Sequence, residues 1–226
     1  MTIQYIDPTQ YKAIYVVGDI HGCYSILMQE LENNNFDFNH DLLICTGDLI
    51  DRGPESLQCL SLLTKTWFKT IRGNHEEMCI QSFYDFNMRM LHQNNGGEWF
   101  FVLKPQRKLE IIDQLKKLPI AIEINFPSKR IGIVHADIDI NDWDIFKIKI
   151  QEGDFKVRGL KSTYHNALWG RGRIKHLSDH YEAVKNVDTI YLGHTIVKEP
   201  VQLDNCHYID IGSYYSKKLC VLKISD

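Results

Sequence analysis

Lys12-Ala13-Ile14-Tyr15-Val16-Val17-Gly18-Asp19-Ile20-His21-Gly22 sets an apolar run against a glycine and two metal-capable side chains. Residues 12–17 read as a buried strand, and 24–33 follow with Leu27 and Leu31 at helical spacing. The same unit comes twice more. Residues 41–46 form a second apolar run that stops at Gly47-Asp48. Pro54-Glu55 then opens a helix, since proline suits the first helical position and an acid the positive dipole end. Leu57, Leu60 and Leu63 would be its buried stripe. Residues 67–71 are a third strand, stopping at Arg72-Gly73-Asn74-His75, with a helix after it through Met78, Cys79, Ser82, Phe83 and Phe86. Alternation of this kind over the first ninety residues predicts parallel strands joined by crossover helices.

The later chain is less regular. Residues 90–118 look helical and are bounded by Pro119. Runs 120–125 and 130–135 are strands about a turn at Pro127-Ser128, and 137–187 carry helices and long loops. Residues 189–192 form a strand ending at Gly193-His194. Runs 197–203 and 206–211 flank Asp204-Asn205, a good hairpin turn; with 219–224 they read as an antiparallel meander. No repeat, low-complexity tract or Gly/Pro/Ser-rich linker divides the chain, so residues 1–226 are expected to be a single domain.

Composition narrows the class. Of 226 residues, 44% are hydrophobic, enough for a core that needs no disulfide or partner. Lys plus Arg number 26 against 29 Asp plus Glu, a net charge of −3 that gives no general attraction to nucleic acid or an anionic membrane. No apolar run approaches a membrane span, and the first residues lack the basic and apolar regions of a secretory signal. The six cysteines, at 23, 45, 59, 79, 206 and 220, form no C-x-x-C pair. Reduced thiols in a cytoplasmic protein are the expectation. Cys23 opens a helix, where a thiol can become reactive; a small packed residue is the plainer reading.

Five strand ends carry Asp, His or Asn: Gly18-Asp19-Ile20-His21, Gly47-Asp48, Gly73-Asn74-His75, Val134-His135 and Gly193-His194. Carboxyl ends of parallel strands are where ligands gather in an α/β sheet. Asp19 and His21, two apart, share one face of an extended segment and can reach one cation. Asp48 has two oxygens and can bridge two cations. Asn74, His135 and His194 offer an oxygen and two imidazoles to the second. This oxygen and nitrogen set suits manganese, iron or zinc better than calcium or magnesium alone. A lone histidine after a strand is more often a packed residue, so the joint occurrence carries the reading. His92, His165, His176, His180 and His207 have no ligand spacing and are taken as structural.

Gly18-Asp19-Ile20-His21-Gly22, Gly47-Asp48-Leu49-Ile50-Asp51-Arg52-Gly53 and Gly73-Asn74-His75-Glu76 resemble, in order and spacing, the three signature motifs of the phosphoprotein phosphatase family. Val134-His135-Ala136-Asp137 and Leu192-Gly193-His194-Thr195 are similar to its two downstream histidine motifs. Asn95-Gly96-Gly97-Glu98-Trp99-Phe100 and Leu168-Trp169-Gly170-Arg171 resemble its compact bacterial and bacteriophage branch. The resemblance runs from about residue 12 onward. It implies an α+β chain of the calcineurin-like metallophosphoesterase fold, a central β-sandwich flanked by helices with an α/β-like N-terminal half. It implies two divalent ions, manganese first among them, on Asp19, His21, Asp48, Asn74, His135 and His194. Arg52 and Arg171 would bind phosphoryl oxygens, and His75 paired with Asp51 would be the general acid. Arg171 is preferred over Arg173 from its distance to Trp169, and Arg173 would then be a solvated charge.

The activity implied is protein serine/threonine phosphatase, by direct attack of a hydroxide held between the metals, with a breadth that can extend to phosphotyrosine or phosphohistidine. No Cys-x5-Arg loop offers a covalent route. The alternative in the same family is a symmetrical bis(5'-nucleosyl)-tetraphosphatase; that branch usually lacks an acid where Asp51 stands. A metal-binding module without activity would have lost a ligand or the acid, and every expected position is filled. The partners implied are phosphorylated proteins, with no nucleic acid or membrane. Lys156, Arg158, Lys161, Arg171, Arg173 and Lys175 make residues 156–176 locally basic, a feature that attracts phosphorylated ligands or is simply an exposed face.

Overall fold

Every residue of Ala13–Val17 and Asp41–Cys45 is buried, because these strands are covered on both faces; that is why they read as unbroken apolar runs rather than alternating ones. The computed structural model describes residues 2–154, 161–178 and 180–225. Its elements begin with β1 (Ile3–Ile6), β2 (Ala13–Val17), α1 (Tyr24–Asn33), β3 (Asp41–Cys45), α2 (Ser56–Ser61), β4 (Phe68–Thr70), α3 (Asn74–Gln81), α4 (Phe86–His92), α5 (Glu98–Phe101) and α6 (Pro105–Leu115). They continue with β5 (Ala121–Asn125), β6 (Arg130–Val134), α7 (Trp143–Gln151), α8 (Thr163–Trp169), β7 (Thr189–Leu192), β8 (Val201–Leu203), β9 (Cys206–Tyr208), α9 (Ser213–Ser216) and β10 (Val221–Lys223).

Two sheets result. One has the order β10-β2-β3-β4, with β2, β3 and β4 parallel and β10 antiparallel to β2. The other is mixed, in the order β1-β5-β6-β7-β9-β8. Alternate side chains of each strand enter different cores. Ile14, Val16, Leu42 and Ile44 from the first sheet meet Ile122, Ile124, Ile131 and Ile133 from the second. Their neighbours Tyr15, Val17, Leu43 and Cys45 turn outward, against Leu27 and Leu31 of α1, Cys59 and Leu60 of α2, and Ile111, Ile112 and Leu115 of α6. On the far side, Val134, Ile190 and Leu192 pack against Trp143, Phe146 and Ile150 of α7 and Ala167 and Leu168 of α8. The molecule is therefore a β-sandwich with helices on both outer faces, as expected. Parallel pairing with crossover helices occurs in both sheets, since β6 and β7 also run parallel with α7 and α8 between them.

Several expectations are corrected. β1 goes unannounced because only its two end residues, Ile3 and Ile6, are buried. Pro54-Glu55 forms a turn, and α2 starts at Ser56. Its buried residues are Ser56, Cys59 and Leu60, while Leu57 is exposed. Phe83 and Phe86 are exposed as well. The C-terminal strands are not a meander. Only β8 and β9 form the antiparallel hairpin about Asp204-Asn205, β9 runs parallel to β7, and β10 crosses to the other sheet. Short strands with polar alternation say little about which sheet they join. All six cysteines are free and buried, and burial pushes the Cys23 thiol up, away from reactivity. No helix among the described residues is long and apolar enough to cross a membrane.

Candidate metal centre and active site

The strand ends of both sheets converge. Asp19 and His21 follow β2, Asp48 and Asp51 follow β3, Asn74 and His75 open α3 after β4, and His135 and His194 follow β6 and β7. All are buried. Two of the glycines that precede ligands are steric: a Cβ on Gly73 would run into the Asp48 carboxylate, and one on Gly193 into that of Asp19. His21, Asp48, Asp51, Arg52 and His194 all have left-handed backbone, with φ between 45° and 74°. Such strain in residues with side chains gathers at functional sites.

Hydrogen bonds to backbone carbonyls fix two tautomers. Nδ1–H of His21 donates to the Ile50 carbonyl at 3.1 Å and Nδ1–H of His135 to that of Thr46 at 2.9 Å. Burial, ahead of every other cause, pulls His21 down to about 3 and His194 to about 2, and it lowers His135 too, so these rings are neutral. The His135 Nε2 lone pair consequently stands 2.9 Å from Asn74 Oδ1 and 3.4 Å from Asp48 Oδ1. His194 Nδ1 reaches the same Asn74 oxygen at 2.9 Å, and its Nε2 is buried without a partner. His21 Nε2 lies 3.6 Å from Asp48 Oδ2 and receives Arg52 Nη1–H at 2.9 Å. Acceptors crowd together and lone pairs face one another, an arrangement that repels unless cations lie among them. The donor set fits divalent metal. Two ligand groups stand out, His21 with Asp48 and His75, and Asp48 with His135 and His194; Asp48 belongs to both.

Asp19 is placed differently from its expected partner. Its Oδ1 accepts the Thr46 hydroxyl at 2.9 Å and its Oδ2 the His194 N–H at 2.8 Å, and it lies outside the His21 group. Burial, then the charges of Asp210 and Asp48, raise its carboxyl well above the usual range. Asp48 is the opposite case. Burial pushes it up, but the imidazoles of His135, His75, His21 and His194 outweigh that and hold it below the carboxylate range.

Asp51 and His75 are paired at 2.8 Å, Oδ2 to Nδ1, and His75 Nε2 faces Arg52 Nη2 at 3.2 Å. Arg171 is half-buried, and its guanidinium feels the carboxylates of Asp48, Asp19 and Asp210. Arg173 is no solvated charge. It is 2% exposed and donates to the carbonyls of Glu182 and Ile138 and to Asn141 Oδ1. Of the locally basic stretch, Lys156 and Arg158 lie outside the described residues, and the buried Arg173 breaks it as one exposed face.

The structure adds residues that spacing did not single out. Asp210 repeats the strand-end pattern in Tyr208-Ile209-Asp210-Ile211-Gly212 and could have been found by it; burial and the charge of Asp48 push its carboxyl up to about 6. His92, taken as structural, lies 3.0 Å from Asp51 Oδ2 through Nε2, and Trp99 Nε1–H donates to Asp51 Oδ1 at 2.8 Å. Neither has a motif of ligand type. Glu76 is fully buried, and its carboxylate accepts the N–H groups of Asp48, Leu49, Ile50 and Gly73 at 2.8–3.3 Å. It shapes the loop that carries Asp48. Glu76→Gln would turn an NH2 toward two of these donors, and a stability loss of about 3 kcal/mol is expected in urea unfolding. An unchanged midpoint would show that the loop holds its shape without the carboxylate.

A buried cluster of metal-capable ligands with two arginines and a carboxylate–histidine pair, at the strand ends of a helix-flanked sandwich, defines a phosphoester-hydrolysing metalloenzyme. The calcineurin-like phosphoesterase family matches residues 12–198, and the chain belongs to that family. It is 37% identical over 227 residues to serine/threonine-protein phosphatase 2 of Escherichia coli, covering 98% of this chain and 97% of the relative. A symmetrical bis(5'-nucleosyl)-tetraphosphatase of Proteus mirabilis is 34% identical over 139 residues, 61% of this chain and 48% of the relative. Among solved structures, a cold-active protein-tyrosine phosphatase of a Shewanella species shares the fold with a TM-score of 0.64 at 19% identity, over 98% of this chain and 77% of that one. The family implies a centre of two divalent metal ions.

Proposed function

We propose that this chain is a single catalytic domain that hydrolyses phosphate monoesters on serine and threonine side chains of proteins. The observation that carries the reading is the buried Asp51–His75 pair set beside the converging ligands. A protonated imidazole is what a poor alkoxide leaving group needs. Relatives named serine/threonine phosphatases that align over nearly the whole chain support it.

In this reading Asp19 and His21 would hold one metal, Asp48 would serve both, and Asn74, His135 and His194 would hold the other. The mixed oxygen and nitrogen donors favour manganese, with iron or zinc next. Two such ions, when bound, would supply Lewis acidity and the means to lower the pKa of a water. Arg52 and Arg171 clamp the phosphoryl oxygens, for which a permanently charged, planar guanidinium is suited. Asp51 orients His75, whose Nε2 proton passes to the departing side-chain oxygen. Phosphotyrosine and phosphohistidine fit the same chemistry.

The shorter match to a tetraphosphatase supports a second reading, in which a dinucleoside tetraphosphate is the substrate. Turnover of phosphoserine and phosphothreonine peptides should be compared with that of diadenosine tetraphosphate, with manganese added. We expect the peptides to give the larger kcat/KM. The reverse order would replace the first reading by the second.

A further inference from the structure

Asp51 is fully buried, and three side chains donate to its carboxylate. Besides His75 on Oδ2, His92 Nε2 lies 3.1 Å from Oδ1 and 3.0 Å from Oδ2, and Trp99 Nε1–H reaches Oδ1 at 2.8 Å. A carboxylate only accepts, so His92 carries its proton on Nε2. Among the described residues its Nδ1 is buried without a partner, leaving Asp51 as the one polar contact of the ring. A histidine kept for packing would be better replaced by an apolar residue, since its idle nitrogen is costly there. Space is made for the ring: a Cβ on Gly97 would collide with it. Between His92 and Trp99 the chain turns through Gly96, at φ 92°, whose carbonyl accepts the Arg52 N–H at 3.2 Å. One short segment thus braces two consecutive active-site residues.

We infer that His92 and Trp99 are positioning residues of the phosphatase reaction: donating from two further directions, they lock the Asp51 carboxylate so that one oxygen faces His75 Nδ1 and the ring presents Nε2 to the departing group. The inference rests on the phosphatase reading above. A carboxylate with one donor can swing about its last bond, and His75 would swing with it. Partners of this outer kind orient the groups that meet the substrate. Loss of orientation lowers kcat where a proton must be delivered and leaves binding alone.

The test compares His92→Leu, His92→Gln and Trp99→Phe in the metal-loaded enzyme, using a phosphoserine peptide and p-nitrophenyl phosphate. His92→Leu should lower kcat on the peptide about ten- to hundredfold. KM should stay within about twofold, and the aryl phosphate, whose leaving group needs little help, should lose less than about threefold. Glutamine, which sets an amide N–H near the lost Nε2–H, should restore most of the peptide rate. Trp99→Phe should shift the peptide rate in the same direction, and it keeps the question open to measurement if the leucine variant does not fold. Equal losses on both substrates, a change confined to KM, or no rescue by glutamine would overturn the inference while leaving the phosphatase reading in place. A wild-type enzyme inactive on both substrates would instead remove that reading and the inference with it.

Discussion

Asp48→Asn is expected to lower turnover of every phosphoester substrate by on the order of a thousandfold and to reduce the bound metal of the purified enzyme. Asp48 stands at the centre of the site. Its Oδ1 accepts the His75 N–H at 2.9 Å and lies 3.4 Å from His135 Nε2, while its Oδ2 faces His21 at 3.6 Å and His75 at 3.9 Å. It is the one residue in both ligand groups among the described residues. An asparagine of the same size keeps one oxygen, loses the charge and puts two N–H donors among imidazole lone pairs. The loss should therefore be the same for phosphopeptides and aryl phosphates, because it precedes any question of leaving group. Elemental analysis beside kcat decides the matter. A variant with its metal content and turnover intact would end the assignment of Asp48 as a bridge.

How much of this was legible follows from the physical range of each signal. β2 and β3 could be read because strands buried on both faces are apolar throughout, and their glycines could be read because no Cβ fits where the chain meets a ligand. Asp19, His21, Asp48, Asn74, His135 and His194 lie right after such runs. The fold sets His21, His135 and His194 around Asp48, with Asn74 against His135 and His194. It turns the Asp19 carboxylate to Thr46 and the His194 N–H instead of to the His21 group. What binds in one neighbourhood from far away in sequence was not legible. His92 and Asp51 are 41 residues apart, and no local pattern joins a helix-end histidine to a loop carboxylate. The same limit hid Arg173, whose guanidinium looks like a surface charge until the carbonyls around it are known. Sheet membership of β9 and β10 was equally out of reach, since pairing partners are chosen by tertiary packing rather than by the strand's own residues.

His75→Asn should separate substrates by their leaving groups. Burial alone would lower the basicity of His75, but the charge of Asp48 and the hydrogen bond and charge of Asp51 outweigh it, so its pKa is raised. The protonated ring therefore persists to higher pH than an ordinary histidine would allow, and the reaction that uses its proton should fail on the alkaline side of that raised value. A serine alkoxide leaves badly without a proton, whereas p-nitrophenolate leaves well. We expect the asparagine variant to lose about a hundred- to a thousandfold in kcat on a phosphoserine peptide and about tenfold or less on p-nitrophenyl phosphate. The alkaline limb of the peptide pH profile should flatten in the variant, because no group is left there to deprotonate. Asp51→Asn should follow the same order with smaller losses, since it removes the partner and keeps the ring. If the two substrates lost equally, His75 would be acting on metal or phosphate rather than on the leaving oxygen, and its place beside His21 and Asp48 would then be that of a ligand.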